Sequence, residues 1–80
     1  MPTLTAKELV VKFNSVEEIQ DFSKIVNEFS GDVDLRQGRV TIDAKSLLGI
    51  FSMNMDQEMR IQVYSGDTEK LAKMIERFLV

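Results

Sequence analysis

Lys45-Ser46-Leu47-Leu48-Gly49-Ile50-Phe51-Ser52-Met53-Asn54-Met55 is the stretch that decides how this chain reads. Ser46 is placed to cap a short helix over residues 46–53, its hydroxyl accepting a first-turn N–H, a contact worth about 0.5–2 kcal/mol. Two helical turns put Ile50 and Met53 on one face, within reach of a core, and leave Leu47, Leu48 and Phe51 projecting elsewhere. Large apolar side chains grouped outside a core are more often a docking surface than an accident. Asn54 closes the stretch, since Asn tolerates the left-handed region.

Working outward, residues 32–37 alternate, with Val33 and Leu35 on one face. Gln37-Gly38 reverses the chain, and residues 39–44 alternate again through Val40, Ile42 and Ala44. Two alternating runs joined by a short Gly-containing connection predict a β-hairpin. Downstream, Met59, Ile61 and Val63 alternate with Arg60, Gln62 and Tyr64, which predicts a strand over residues 58–64. Ser65-Gly66-Asp67 turns the chain. Asp67 is the natural N-cap of a final helix over residues 68–79, with Glu69 in its first turn and an apolar stripe of Leu71, Met74, Ile75, Phe78 and Leu79.

Before the hairpin, Leu9, Val11 and Phe13 share a face of a strand over residues 8–13. Ser15 and Glu18 have capping-box spacing. The helix they open, residues 16–29, carries Val16, Ile19, Phe22, Ile25, Val26 and Phe29 on one stripe, and Ser30-Gly31 ends it. The order is β-α-β-β-α-β-α over a single domain, residues 1–80. Four amphipathic strands and helices with one apolar stripe each predict an α+β fold, a four-stranded antiparallel sheet with helices on one face. Lys12, Asp34, Arg36, Arg39, Thr41, Asp43, Arg60 and Gln62 make the other face polar enough for solvent.

Eighty residues leave room for one core only. Without cysteine or histidine there is no disulfide framework, no zinc site of the usual kind and no Cys–His or Ser–His nucleophile pair. Glu17/Glu18 and Asp32/Asp34 read as a helix cap and solvated strand positions, so no catalytic residue and no cofactor is expected, and the protein is not an enzyme. The net charge is −3 and the basic residues are scattered, against direct nucleic-acid binding. Apolar runs fall short of the ~18 residues a membrane span needs. Met1-Pro2-Thr3-Leu4-Thr5 lacks the blocks of a signal peptide, so the expected location is cytoplasmic.

Lys45-Ser46-Leu47-Leu48-Gly49-Ile50-Phe51-Ser52-Met53 is similar to the Lys-Ser-(apolar)₂-Gly-(apolar)₂-Ser-Leu segment of the HPr-like proteins of the sugar phosphotransferase system. The element order resembles that family's open-faced β-sandwich from about residue 8 onward. The resemblance implies that Ser46 is the serine phosphorylated by an HPr kinase/phosphorylase. It also implies that Leu47, Leu48 and Phe51, with Lys45 beside them, dock protein partners, including a transcriptional regulator. Arg39 and Lys45 are the candidate cations for a phosphate on Ser46.

One departure is decisive. The family carries its phosphoryl group on a histidine in a Gly-(apolar)-His-Ala-Arg-Pro motif at the start of the first helix. Here the region reads Phe13-Asn14-Ser15-Val16-Glu17-Glu18, with two carboxylates where an anion would want N–H groups and a cation. A serine ester is too stable to relay a phosphoryl group. The reading is therefore a regulatory binding protein resembling the histidine-less paralogue of catabolite repression. The alternative is a degenerate interaction or oligomerisation module in which Ser46 is only a cap. Monomer and homodimer both stay open.

Overall fold

Each of the three α-helices among the described residues begins where a side-chain oxygen takes up a first-turn N–H. The computed structural model describes residues 9–80. In it Ser15 Oγ accepts from Glu18 N at 3.1 Å to start α1 (Val16–Asn27), and Glu18 reaches back to accept the Asn14 N–H at 3.0 Å. Ser46 starts α2 (Leu47–Phe51), and Asp67 Oδ1 starts α3 (Thr68–Met74) by accepting from Glu69 N and Lys70 N. Each such cap satisfies a donor that the helix itself cannot.

The strands are β1 (Leu9–Val11), β2 (Val33–Gln37), β3 (Val40–Asp43) and β4 (Met59–Val63), joined antiparallel in the order β1-β4-β2-β3. The fold is α+β, an open antiparallel sheet with three helices, as the patterning predicts. Register places Leu35 opposite both Ile42 and Ile61, on the side that meets the helices. On the other face Asp34 lies opposite Asp43 and Gln62, and Arg36 opposite Thr41 and Arg60. Val11, Leu35 and Met59 from the sheet are fully buried against Phe22, Val26, Ile50, Leu71 and Ile75 from the helical side. Burying side chains of this size contributes roughly 1.5–3 kcal/mol each before entropy is set against it.

The reversal between β2 and β3 turns on Gly38 at φ 59°, a left-handed conformation that suits glycine. Gly31 serves a different end. A Cβ there would stand 1.8 Å from the Ser65 carbonyl oxygen and 2.7 Å from the Phe29 ring, so only a hydrogen lets the two loops cross.

Expected boundaries shift most at the ends of the helices. The last helix, expected over residues 68–79, stops at Met74, and Ile75 (φ −111°) leads into a 3-10 turn, Glu76–Phe78. The turn drops Phe78 between Phe13 and Phe22, with ring centroids 5.8 and 5.5 Å away. It also leaves Leu79 and Val80 extended beside β1, where Val80 N–H donates to Val10 C=O at 2.9 Å. A continued helix would carry those residues away from β1. The helix expected over residues 16–29 ends at Asn27, its last N–H groups at Glu28 and Phe29 closing tightly on Ile25 and Val26 carbonyls. The strand expected over residues 8–13 is Leu9–Val11, residue 8 lying outside the described residues, and the helix over 46–53 is Leu47–Phe51 with Ser46 as its cap. Val16 and Val40, assigned to apolar faces, are exposed because each stands at the outer end of its element.

Candidate functional site

Ser46 follows closely on β3, and its N–H donates to Asp43 C=O at 2.9 Å. Its backbone is extended (φ −93°, ψ 107°), and its Oγ accepts the Gly49 N–H at 3.1 Å, leaving the Leu47 and Leu48 N–H groups as first-turn donors without an intrahelical acceptor. Gly49 faces the sheet, where a Cβ would come within 3.3 Å of Ile42 Cβ. That close approach seats α2 on β3 and sends Ile50 (0% exposed) into the core. Leu48 is 83% exposed, Phe51 41% and Leu47 36%, so the apolar side chains left over by the short helix do face outward.

Neighbouring side chains hold this piece at both ends. At the start, Asn27 Nδ2 donates to Lys45 C=O at 3.1 Å and to Ser23 C=O at 2.7 Å, tying the loop to α1. At the far end Gln37 clamps the Asn54 main chain: its Nε2 donates to Asn54 C=O and its Oε1 accepts from Asn54 N, both at 2.8 Å. Sequence reasoning misses Asn27 and Gln37, because a polar residue on a helix or strand carries no mark of what it bonds far along the chain.

Lys45 and Arg39 are not arranged as expected. The half-buried Lys45 ammonium donates to Phe29 C=O at 2.6 Å, complementing the C-terminal end of α1. Arg39 sits in the β2–β3 turn, at the opposite end of β3 from Ser46. Neither cation is drawn to the Ser46 hydroxyl.

At the start of α1, Glu18 both caps and places a carboxylate beside the first-turn N–H groups. On the open sheet face, the Tyr64 hydroxyl hydrogen-bonds Asp34, which raises its pKa above the ordinary value, and Asp32, Asp43 and Lys45 line the shallow hollow beside it. Among the described residues no cluster of three or more acidic side chains is arranged to hold a metal ion, and no helix is long and apolar enough to cross a membrane.

The capped α2 and the four-stranded sheet are in keeping with what comparison with family models finds. A family model for the phosphotransferase-system HPr component phosphorylation site matches residues 17–79, most of the chain. The chain belongs to the HPr family. Among solved structures, HPr-C-His from Thermoanaerobacter tengcongensis superposes with a TM-score of 0.75 over 90% of this chain and 89% of that one. At 19% identity, that likeness speaks to the HPr fold. No curated protein sequence matches the chain. The sequence contains no histidine.

Proposed function

We propose that this HPr-family protein is a non-catalytic regulatory module, acting in the cytoplasm. It docks protein partners through Leu47, Leu48 and Phe51 and is switched by phosphorylation of Ser46. The observation that carries the reading is the adjacency of a helix-capping serine to a side chain as exposed as Leu48. A phosphate on Ser46 would add about −1.5 to −2 charge at the rim of an apolar surface. It would meet first-turn N–H groups without any rearrangement of the fold. Lys45, held on the Phe29 carbonyl, anchors the loop that presents this surface; the charge of the phosphate is left for a partner to read.

The phosphocarrier role finds no support in the residues at the start of α1. Ser15 is committed to the Glu18 N–H, and Glu18 turns its own carboxylate onto Asn14 N. A second reading rests on one specific contact. The Ser46 Oγ is already engaged by Gly49 N, which favours a module whose serine serves only the helix and whose patch works without a switch.

Intact-protein mass separates these readings. The protein and its Ser46→Ala variant are each incubated with HPr kinase/phosphorylase and ATP, and in parallel with enzyme I and phosphoenolpyruvate. One phosphoryl adduct in the native protein, absent from Ser46→Ala, is the expected result. No adduct with the kinase moves the assignment to the unswitched module. Labelling by enzyme I restores the carrier role.

A further inference from the structure

β3 is the last strand of the sheet, and among the described residues its ladder runs to β2 alone. The pairing of Gln37 with Val40 and of Leu35 with Ile42, together with the Ala44 N–H donated to Val33 C=O at 2.9 Å, fixes its parity. Val40, Ile42 and Ala44 turn their main-chain groups toward β2, whereas Thr41 and Asp43 turn theirs away from the sheet, the Asp43 C=O already taking the Ser46 N–H at 2.9 Å. The opposite edge is covered, because β1 bonds the chain's last residues through Val10 C=O and the Lys12 N–H. β3 is short and ends on a charged residue, Asp43, but it has no proline, no lysine and no bulge in its register.

We infer that β3 is the docking edge for a second copy of this chain, joined antiparallel about a twofold axis with Thr41 opposite Thr41 of the second copy. Parity and charge point to the same register. Thr41 is an outward-facing residue, so the two threonines exchange both N–H···O=C bonds across the axis. Shifted by two residues, Arg39 stands opposite Asp43 of the second copy, and symmetry supplies that pairing twice. Asp43 lies directly across from Asp34 within its own sheet, a like-charge arrangement that an arginine from the second copy offsets. On the helix side, Val40, 49% exposed in the single chain, comes opposite Ile42 of the second copy. The result is a closed, isologous dimer with a continuous eight-stranded sheet. One short strand is a small interface, so assembly is concentration-dependent.

Sedimentation velocity across a concentration series, on the full chain and four variants, tests this. The native chain is expected to move from 9.1 kDa toward twice that mass. Thr41→Pro removes an outward N–H that β2 does not use, so it blocks assembly while circular dichroism stays unchanged. Arg39→Asp and Asp43→Arg each place like charges opposite one another and raise the dissociation constant about tenfold or more. The Arg39→Asp/Asp43→Arg double variant restores opposite charges and brings back assembly. A single 9.1 kDa species throughout, or a dimer indifferent to Thr41→Pro, overturns the edge, and a double variant no better than the singles overturns the register.

Discussion

The Oγ of Ser46 accepts one N–H, from Gly49, and the energetic consequence is direct. Ser46→Ala should lower unfolding free energy by about 1 kcal/mol in urea titration, and Ser46→Asp, an equally good cap, should recover most of it. An alanine variant as stable as the native chain would show that the cap contributes nothing. At the same scale, the hydrogen bond from the Tyr64 hydroxyl to Asp34 is the first cause of its raised pKa, followed by desolvation. A folded pKa above the unfolded value means stability that is full below about pH 10 and lost as pH rises through the folded pKa. The melting temperature should therefore fall more steeply above pH ~10 in the native chain than in Tyr64→Phe. Single residues are also where the sequence is least legible. Ser46 can be read as a cap because its role depends on neighbours three residues away, whereas Lys45 reads as a partner for phosphate or protein. Its seat on Phe29 C=O depends on where α1 ends in space, which no local spacing encodes.

At the scale of elements, the close crossing at Gly31 is the most exacting joint. A methyl group there meets backbone, which cannot swing aside as a flexible side chain can. Gly31→Ala should destabilise by about 3 kcal/mol or more through overpacking, read as a shift in the urea midpoint. Gly38→Ala carries conformational strain only, since nothing lies within 4 Å of where its methyl group would stand, and should cost about 1 kcal/mol. Comparable losses at the two sites would contradict this division. The starts of helices and the hairpin are legible because caps and turns are written in adjacent residues. The end of α3 is not. Leu71, Ile75 and Phe78 suit a helical stripe, yet the step from Ile75 to Phe78 also suits a 3-10 turn. Packing of Phe78 onto Phe13 and Phe22 and pairing of Val80 with Val10 decide for the turn.

Across the whole molecule, the aromatic triangle of Phe13, Phe22 and Phe78 joins the end of β1, the middle of α1 and the C-terminal turn, with its closest centroids 5.0 Å apart. Phe78→Ala should remove about 3–5 kcal/mol, a large share of what a domain this small holds, and a thermal melt near room temperature or a loss of cooperativity is the expected result. A variant that melts within a few degrees of the native chain would place the triangle outside the critical core. The global order of strands and helices is legible because amphipathic periods leave few ways to bury every apolar face at once. Which sheet edge is covered and which is open is not, since that follows from residues at opposite ends of the chain. Their pairing also decides how the domain answers a mechanical load. Leu9 and Val80 lie at the same end of an antiparallel contact, so tension applied between them would part the Val80–Val10 and Lys12–Phe78 bonds in succession and not together. Stretched from those points, the protein would open like a zipper, at low force, beginning with the very strand that closes its core.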